Sequence, residues 1–331
     1  MIRTALLSKL IPATAIAAVT TAAAFAGAAQ AQPAWPGKTL TLVVPYTAGG
    51  TNDTLGRTLG EVLRDTHGTA TIIENKPGAG GSVGADLVAR AEPDGATLLL
   101  ASTSPLTIFP NLVKTPYDPM KDLVPVASVA VGPVAILATK ALPVKTFAEL
   151  VDYAKKHPGK VTFGVPGLGT VAHIGMADLN KQLGIDMLQV PYRGGSQAVS
   201  DGLGGQVDLL VVNTDIVLPH VEAGTLTPLA VMAPQRLAPW PKVPTMAELK
   251  LPEMRYFSNF ALFAPAGVPP KVMQAMQDEI GKVLASPAYQ KMLDTKFMQP
   301  GTGMGEDFVQ QVRADYENNQ RIIRESNIRV Q

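Results

Sequence analysis

Leu40-Thr41-Leu42-Val43-Val44-Pro45-Tyr46-Thr47-Ala48-Gly49-Gly50-Thr51-Asn52-Asp53 is the stretch on which the fold turns. An apolar run stops at Pro45, which cannot donate to a strand ladder. A Gly-rich turn, Ala48-Gly49-Gly50-Thr51, follows it. Leu55, Leu59, Val62 and Leu63 then recur at helical spacing. Thr51 or Asn52 is the expected N-cap, with Asp53 in the first turn, where a carboxylate meets free N–H groups. The same alternation continues: a strand over 71–74, a loop over 75–81 with Pro77 and three glycines, a helix over 82–91, and an apolar strand over 97–101. Successive βα units predict a parallel sheet with right-handed crossovers.

A proline-rich, less regular stretch occupies 105–125, and 134–139 is a strand. A second α/β series then begins. Thr146 and Glu149 form a capping box before Leu150, Val151 and Ala154. Strands are expected at 161–165, 187–190, 207–212 and 227–231. Helices fall between them, the first after the loop Pro166-Gly167-Leu168-Gly169-Thr170 and running to about 183, then at 196–203 and 216–223. Residues 234–252 are loop-rich and 257–264 form a strand. Two tail helices follow, one carrying Val272, Met276, Ile280, Val283 and Leu284 on one face, the other over 306–324. The fold class is therefore α/β in two lobes, each a mostly parallel sheet flanked by helices. Residues 32–138 plus 258–331 make the first lobe and 139–257 the second. Strands 134–139 and 257–264 cross between them, which makes a cleft with a hinge.

The start of the chain has a different logic. Arg3 and Lys9 precede an uncharged stretch, 10–29, rich in Ala, Val, Ile and Leu, that runs into Ala29-Gln30-Ala31. That is the pattern of a secretory signal peptide over residues 1–31, cleaved after Ala31. Its loss takes away Arg3 and Lys9 and no acid, leaving 26 basic and 27 acidic residues, net −1. The full chain of 331 residues holds 28 Lys and Arg against 27 Asp and Glu, without the basic excess of a nucleic-acid binder. With no Cys there is no disulfide framework, thiolate metal site, Cys nucleophile or lipid-anchoring cysteine. An exported protein of the bacterial periplasm is the expected product.

Four patterns could carry chemistry. Gly80-Gly81-Ser82-Val83-Gly84 matches the G-x-S-x-G elbow, but Lys76-Pro77-Gly78-Ala79 separates it from the preceding strand, whereas an elbow follows its strand directly. Ser82 is then either a nucleophile or a residue that caps the next helix. Gly167-Leu168-Gly169-Thr170-Val171-Ala172 matches G-x-G-x-x-A, yet the nearest acid, Asp186, precedes the following strand rather than ending it. His67, His157, His173 and His220 show no metal-ligand spacing, and no phosphate loop occurs. No metal or cofactor is expected. What remains is a pair of matching loops, 45–53 and 164–173, each running from a strand through glycines into a helix. Two facing helix starts offer N–H donors to an anion; the same loops could also be ordinary βα turns.

The residues resemble a known family, the extracytoplasmic receptors of tripartite tricarboxylate transporters, also called Bug proteins. The resemblance is carried by Trp35-Pro36, Pro45-Tyr46 with Gly49-Gly50 and Asp53, 74–81 (Glu-Asn-Lys-Pro-Gly-Ala-Gly-Gly), Pro93-Asp94-Gly95 and His157-Pro158-Gly159-Lys160. It continues in Ala172-His173, Val190-Pro191-Tyr192-Arg193-Gly194, Gly204-Gly205-Gln206-Val207, Ala223-Gly224, Val243-Pro244-Thr245 and Ala264-Pro265-Ala266-Gly267. It implies a type II-like periplasmic binding protein that closes like a flytrap on a small carboxylate, without catalysis. It further implies delivery to a membrane permease of one large and one small subunit, by a receptor expected to be monomeric. The family's carboxylate-holding loops map onto 46–53 and 164–173, and the 191–194 turn and 213–215 also face the cleft in such proteins. Three departures touch that cleft: Thr47-Ala48 after the Tyr, Val212-Asn213-Thr214-Asp215 after the buried strand, and Asn259-Phe260-Ala261 in the return strand.

Expected ligand-binding residues are Tyr46, Thr47, Ala48, Gly49, Gly50, Thr51, Asp53, Ser102, Thr103, Gly167, Gly169, Thr170, His173, Arg193, Asn213 and Asp215. Backbone donors come from the glycines, Ala48 and Thr170, and hydroxyls from Thr51, Ser102 and Thr170. Arg193 is the side-chain cation able to grip a carboxylate in bidentate fashion; it could equally be a surface residue beside a turn. His173 could donate to a ligand or cap its helix, and Asp53 and Asp215 could receive an amine or hydroxyl or cap theirs. Two alternatives to uptake stand beside this reading: delivery of the closed receptor to a sensor kinase, and a secreted serine hydrolase built on Ser82.

Overall fold

The computed structural model describes residues 35–252, 254, 256–325 and 328; the expected signal peptide lies outside them. The first strand, β1 (Thr39–Val44), pairs in parallel with β2 (Ala70–Asn75) on one side and β3 (Thr97–Ser102) on the other. Helix α1 (Thr51–His67) crosses from β1 to β2 and buries Leu55, Leu59, Val62 and Leu63 on one stripe. It ends where Gly68 turns left-handed and its N–H caps the Arg64 carbonyl. Helix α2 (Ser82–Ala89) joins β2 to β3 across the opposite face. Alternate residues of one strand therefore enter different cores: Leu40, Leu42 and Val44 pack with α1, whereas Val43 packs with Ala85 and Val88 of α2.

The first sheet is completed by residues from far along the chain. Its strand order is β11-β4-β10-β3-β1-β2, where β4 is Leu123–Gly132, β10 is Ser258–Pro265 and β11 is Gln299–Pro300. Strand β10 runs antiparallel to both β3 and β4. The second sheet has the order β7-β6-β8-β5-β9, formed by β5 (Val134–Ala138), β6 (Thr162–Val165), β7 (Leu188–Pro191), β8 (Leu209–Asn213) and β9 (Thr227–Met232). Strands β6, β7 and β8 are parallel, and β5 is antiparallel to β8 and β9. Both lobes thus share one plan: a parallel trio with its first strand in the middle, then an antiparallel strand, then a further strand, to which the first lobe adds the short β11 at its edge.

Helices α4 (Phe147–Lys156) and α5 (Val171–Leu183) cover one face of the second sheet, and α6 (Gly195–Gly204) the other. A short α3 (Ser104–Thr107) follows β3, and α7 (Leu218–Glu222) follows β8. Helices α8 (Pro270–Ala285), α9 (Pro287–Thr295) and α10 (Gly305–Glu325) return to the first lobe. The chain passes between sheets at Pro133, flanked by β4 and β5, and comes back into β10 at Ser258. By sheet membership Val134–Ala138 belongs with the second lobe, five residues earlier than the expected division. The expected irregular stretch, 105–125, holds only short helical turns, and its last three residues already belong to the ten-residue β4. From Trp35 onward the chain coheres as one unit. No described helix is long and apolar enough to cross a membrane.

Candidate ligand cleft

Three helix starts meet between the sheets, and side-chain bonds organise the loops that open two of them. In the first lobe, Asp53 organises the turn after β1. Its carboxylate accepts the Gly49 N–H at 3.0 Å, the Arg57 guanidinium at 2.9 and 3.1 Å, and the Asn75 amide at 3.2 Å. Burial opposes its ionisation, but the bonds from Arg57, Gly49 and Asn75 outweigh burial and hold it below the usual carboxylate range. Asn75 also reaches the Tyr46 carbonyl at 3.1 Å. With the turn so clamped, Gly50 rather than Thr51 or Asn52 is the N-cap of α1. The Thr51 hydroxyl is spent elsewhere: it donates across the cleft to Asp215 Oδ1 at 2.8 Å.

The second lobe mirrors this arrangement. Thr170 is the N-cap of α5; its hydroxyl accepts the His173 N–H at 3.4 Å and donates to the Gly167 carbonyl at 2.8 Å. The ring Nδ1 of His173 accepts the Gly169 N–H at 3.0 Å. Burial drives the His173 pKa down to about 4, which keeps the ring a neutral acceptor. The third start is that of α6, where Gly194 is the N-cap and Gly195 faces the cleft.

Side chains then close the space. The Tyr46 hydroxyl donates to the Gly80 carbonyl at 3.3 Å and lies 3.2 Å from Ser102 Oγ; burial, partly offset by Ser102, pushes its pKa up to about 12. At the hinge, Asn213 Nδ2 donates to the Pro133 carbonyl at 3.2 Å while its Oδ1 accepts from Ser258 Oγ at 3.2 Å. The end of β8 is thereby bound to both crossing points. At the rim the Thr47 N–H donates to the Arg193 carbonyl at 3.2 Å. The Ser196 hydroxyl donates to the Ala48 carbonyl at 2.7 Å and lies 2.8 Å from Thr47 Oγ1. These bonds join the lobes, so the cleft is shut.

What remains inside is a cavity of about 40 Å³. Its walls carry hydroxyls and amides from Tyr46, Thr51, Asn52, Ser102, Ser104, Thr170, Asn213 and Ser258, with apolar surface from Val134, Val171, Val212, Ile216 and Phe260. Among the described residues no Lys, Arg, Asp or Glu side chain lines it. Two of its polar groups, Asn52 Oδ1 and Ser104 Oγ, are buried with no hydrogen-bond partner. A buried polar atom without a partner is costly in a folded protein and points to a ligand or water that supplies one.

Of the expected residues, Tyr46, Gly50, Thr51, Ser102, Thr170 and Asn213 line this cavity. Thr47, Ala48 and Gly49 lie at the rim, and Asp53 and His173 stand behind the loops they organise. Gly167 and Gly169 shape the second loop, and at Gly169, where φ is 66°, an added Cβ would come within 2.9 Å of the Phe109 backbone. Thr103 faces a neighbouring cavity with Asn259 and Asp315. Asp215 is buried beside the cavity on Thr51, its pKa raised to about 6 by burial despite that bond and the attraction of Lys296. Arg193, the expected cation, is exposed and contributes its backbone to the rim instead. The expected ligand-binding residues leave out Asn52, Ser104 and Ser258, which line the cavity; of these Asn52 lies within the 46–53 loop and reads in the sequence only as a helix cap. Ser82 is buried as the first residue of α2, neither an exposed elbow nor the N-cap, which is Gly81.

Residues 55–328 match the family model described as the tripartite tricarboxylate transporter family receptor. The chain belongs to that family. It is 36% identical to Protein BugT of Bordetella pertussis, over 77% of this chain and 78% of that one. Among solved structures it is similar to R. palustris Rpa4515 with adipate, at a TM-score of 0.84 and 31% identity, covering 89% of this chain and 99% of that one. It is also similar to MatC (Rpa3494) from Rhodopseudomonas palustris with bound malate, at a TM-score of 0.81 and 29% identity over 87% and 100% of the two chains. Family membership makes this receptor a solute-binding protein and not an enzyme, on the two-lobed α/β fold of periplasmic binding proteins.

Proposed function

We propose that this receptor is exported to the periplasm with cleavage after Ala31, closes on a small organic carboxylate, and delivers it as a monomer to a tripartite-type membrane permease of one large and one small subunit. The observation that carries the reading is the convergence of three helix starts, α1, α5 and α6, on one shut cavity with two unpartnered buried polar side chains. Helix N-termini present free N–H groups and the positive end of the backbone dipole, which suit a carboxylate without any cationic side chain. The two similar receptors that hold adipate and malate support the same class of ligand. The hinge bonds of Asn213 and the rim bonds of Thr47 and Ser196 suit a receptor that alternates between open and closed forms.

A thermal-shift screen of residues 32–331 against organic acids tests the proposal. A ligand present at a hundred times its Kd adds about 2.7 kcal/mol, a rise of several degrees. A rise confined to carboxylates supports the reading. A rise only with uncharged or cationic solutes overturns it.

A further inference from the structure

Resting on that carboxylate reading, we infer that the solute is a compact monocarboxylate of three or four carbons bearing a hydroxyl or oxo group, and that Asn52 and Ser104 read that group. Three observations lead there. The first is room. One buried water needs about 10–15 Å³ of such space, so the 40 Å³ of the shut cleft corresponds to about three waters. At about 30 Å³ of liquid volume per water, that is room of about 90 Å³, which suits a compact acid and is too small for a six-carbon diacid or a tricarboxylate.

The second is charge. The donors around the cavity are neutral, and no Lys or Arg side chain lines it. The charged side chain held beside it is Asp215, buried and bonded to Thr51, whose backbone opens α1. One carboxylate can be met by the converging helix starts. A second would enter the same low-dielectric space as the Asp215 carboxylate, with no Lys or Arg in the lining to meet it.

The third is the pair of polar groups without partners. Asn52 is 8% exposed and Ser104 is 1% exposed, both line the cavity, and Asn52 Oδ1 and Ser104 Oγ have no hydrogen-bond partner within the protein. The bonds of the other polar walls are already assigned: Tyr46 to Ser102, Thr51 to Asp215, Thr170 to Gly167, and Asn213 to Ser258. An amide and a hydroxyl together both donate and accept, which matches a hydroxyl or oxo group rather than a methylene. A site that buries such groups rejects the analogue that leaves them unpaired.

Calorimetric titration of residues 32–331 with lactate, pyruvate, 3-hydroxybutyrate, butyrate, malate, adipate and citrate tests this. One or more of the three substituted monoacids should bind at least about tenfold more tightly than butyrate, since an unpaired buried polar group is worth about that factor. Malate, adipate and citrate should be weaker still. Asn52→Ala and Ser104→Ala should each narrow the gap between the substituted acid and butyrate, because the variant no longer leaves that group unpaired when butyrate binds. The inference is overturned if a di- or tricarboxylate binds best, or if both variants keep the wild-type preference. In those cases the broader carboxylate reading stands. A panel in which no acid binds overturns both.

Discussion

Substituting Gly194→Ala separates closing from folding. Gly194 caps α6 with φ 165° and ψ 165°, extended backbone that alanine adopts freely. The lobe that contains it should therefore fold unchanged. Across the cleft, however, an added Cβ would overlap Thr47 Oγ1 and come within 2.7 Å of the Thr47 backbone nitrogen. The second atom belongs to the main chain, so no rotamer relieves the clash. Relief requires the rim to part by about 1 Å, which breaks the Thr47–Arg193, Thr47–Ser196 and Ser196–Ala48 bonds together. At about 1 kcal/mol net for each, the closed form loses about 3 kcal/mol. Ligand affinity should then fall about a hundredfold. The assay pairs calorimetry, using the acid that most stabilises the wild type, with small-angle scattering to follow contraction. Melting of the unliganded variant should match the wild type. Binding within about threefold of wild type, with the same contraction, would refute the claim that the rim bonds form in the ligand-holding state.

Two buried groups titrate in opposite senses near pH 5. Asp215 is raised to about 6 by burial, so its contribution is present below its unfolded value and is lost as pH rises through 6. His173 is lowered to about 4, so its contribution is present above its unfolded value and is lost as pH falls toward 4. Each is worth up to about 3 kcal/mol, so they offset between pH 4 and 6; Asp215→Asn should leave urea stability rising with pH there, and His173→Gln should leave it falling. A flat profile in either variant contradicts the assignment. Asp53→Ala frees the Gly49 N–H, the Arg57 guanidinium and the Asn75 amide at once; equilibrium unfolding should show a loss of about 2–3 kcal/mol, and a loss under 0.5 kcal/mol would mean the clamp is idle. Tyr46→Phe removes the bond to the Gly80 carbonyl and should cost about 1 kcal/mol by the same measurement.

Much of this architecture was legible because buried parallel strands are unbroken apolar runs. Strands such as 97–101 and 207–212 could be placed within two residues for that reason. Strand β4 was not legible, since Pro125 near its start reads as loop. In the sheet that proline sits beside a register shift against β10, where the ladder is irregular and can spare its N–H. Helix α9 was hidden likewise by Pro287, which occupies the first turn behind the Ser286 cap. For the cleft, the two Gly-rich loops declared themselves, but the use of each side chain did not. Thr51 looks like a cap and bonds Asp215 instead; Arg193 looks like an anion grip and serves the rim through its backbone. Which polar groups lack partners, as at Asn52 and Ser104, depends on neighbours distant in sequence and has no local signature.

The position of β10 between β3 and β4 sets an order of assembly. Residues 39–132 hold most of the first sheet's strands, but those two cannot be bridged until residues 258–265 have emerged. Every strand of the second sheet lies within residues 134–232, so that sheet can be completed from one uninterrupted stretch. A nascent chain would therefore carry a finished second lobe and an unfinished first one, with an open apolar edge at β3, until its last fifth is made. Contacts that wait on distant segments form slowly and leave sticky surface exposed meanwhile. The half of the protein that begins first is thus the half most in need of protection before it is finished.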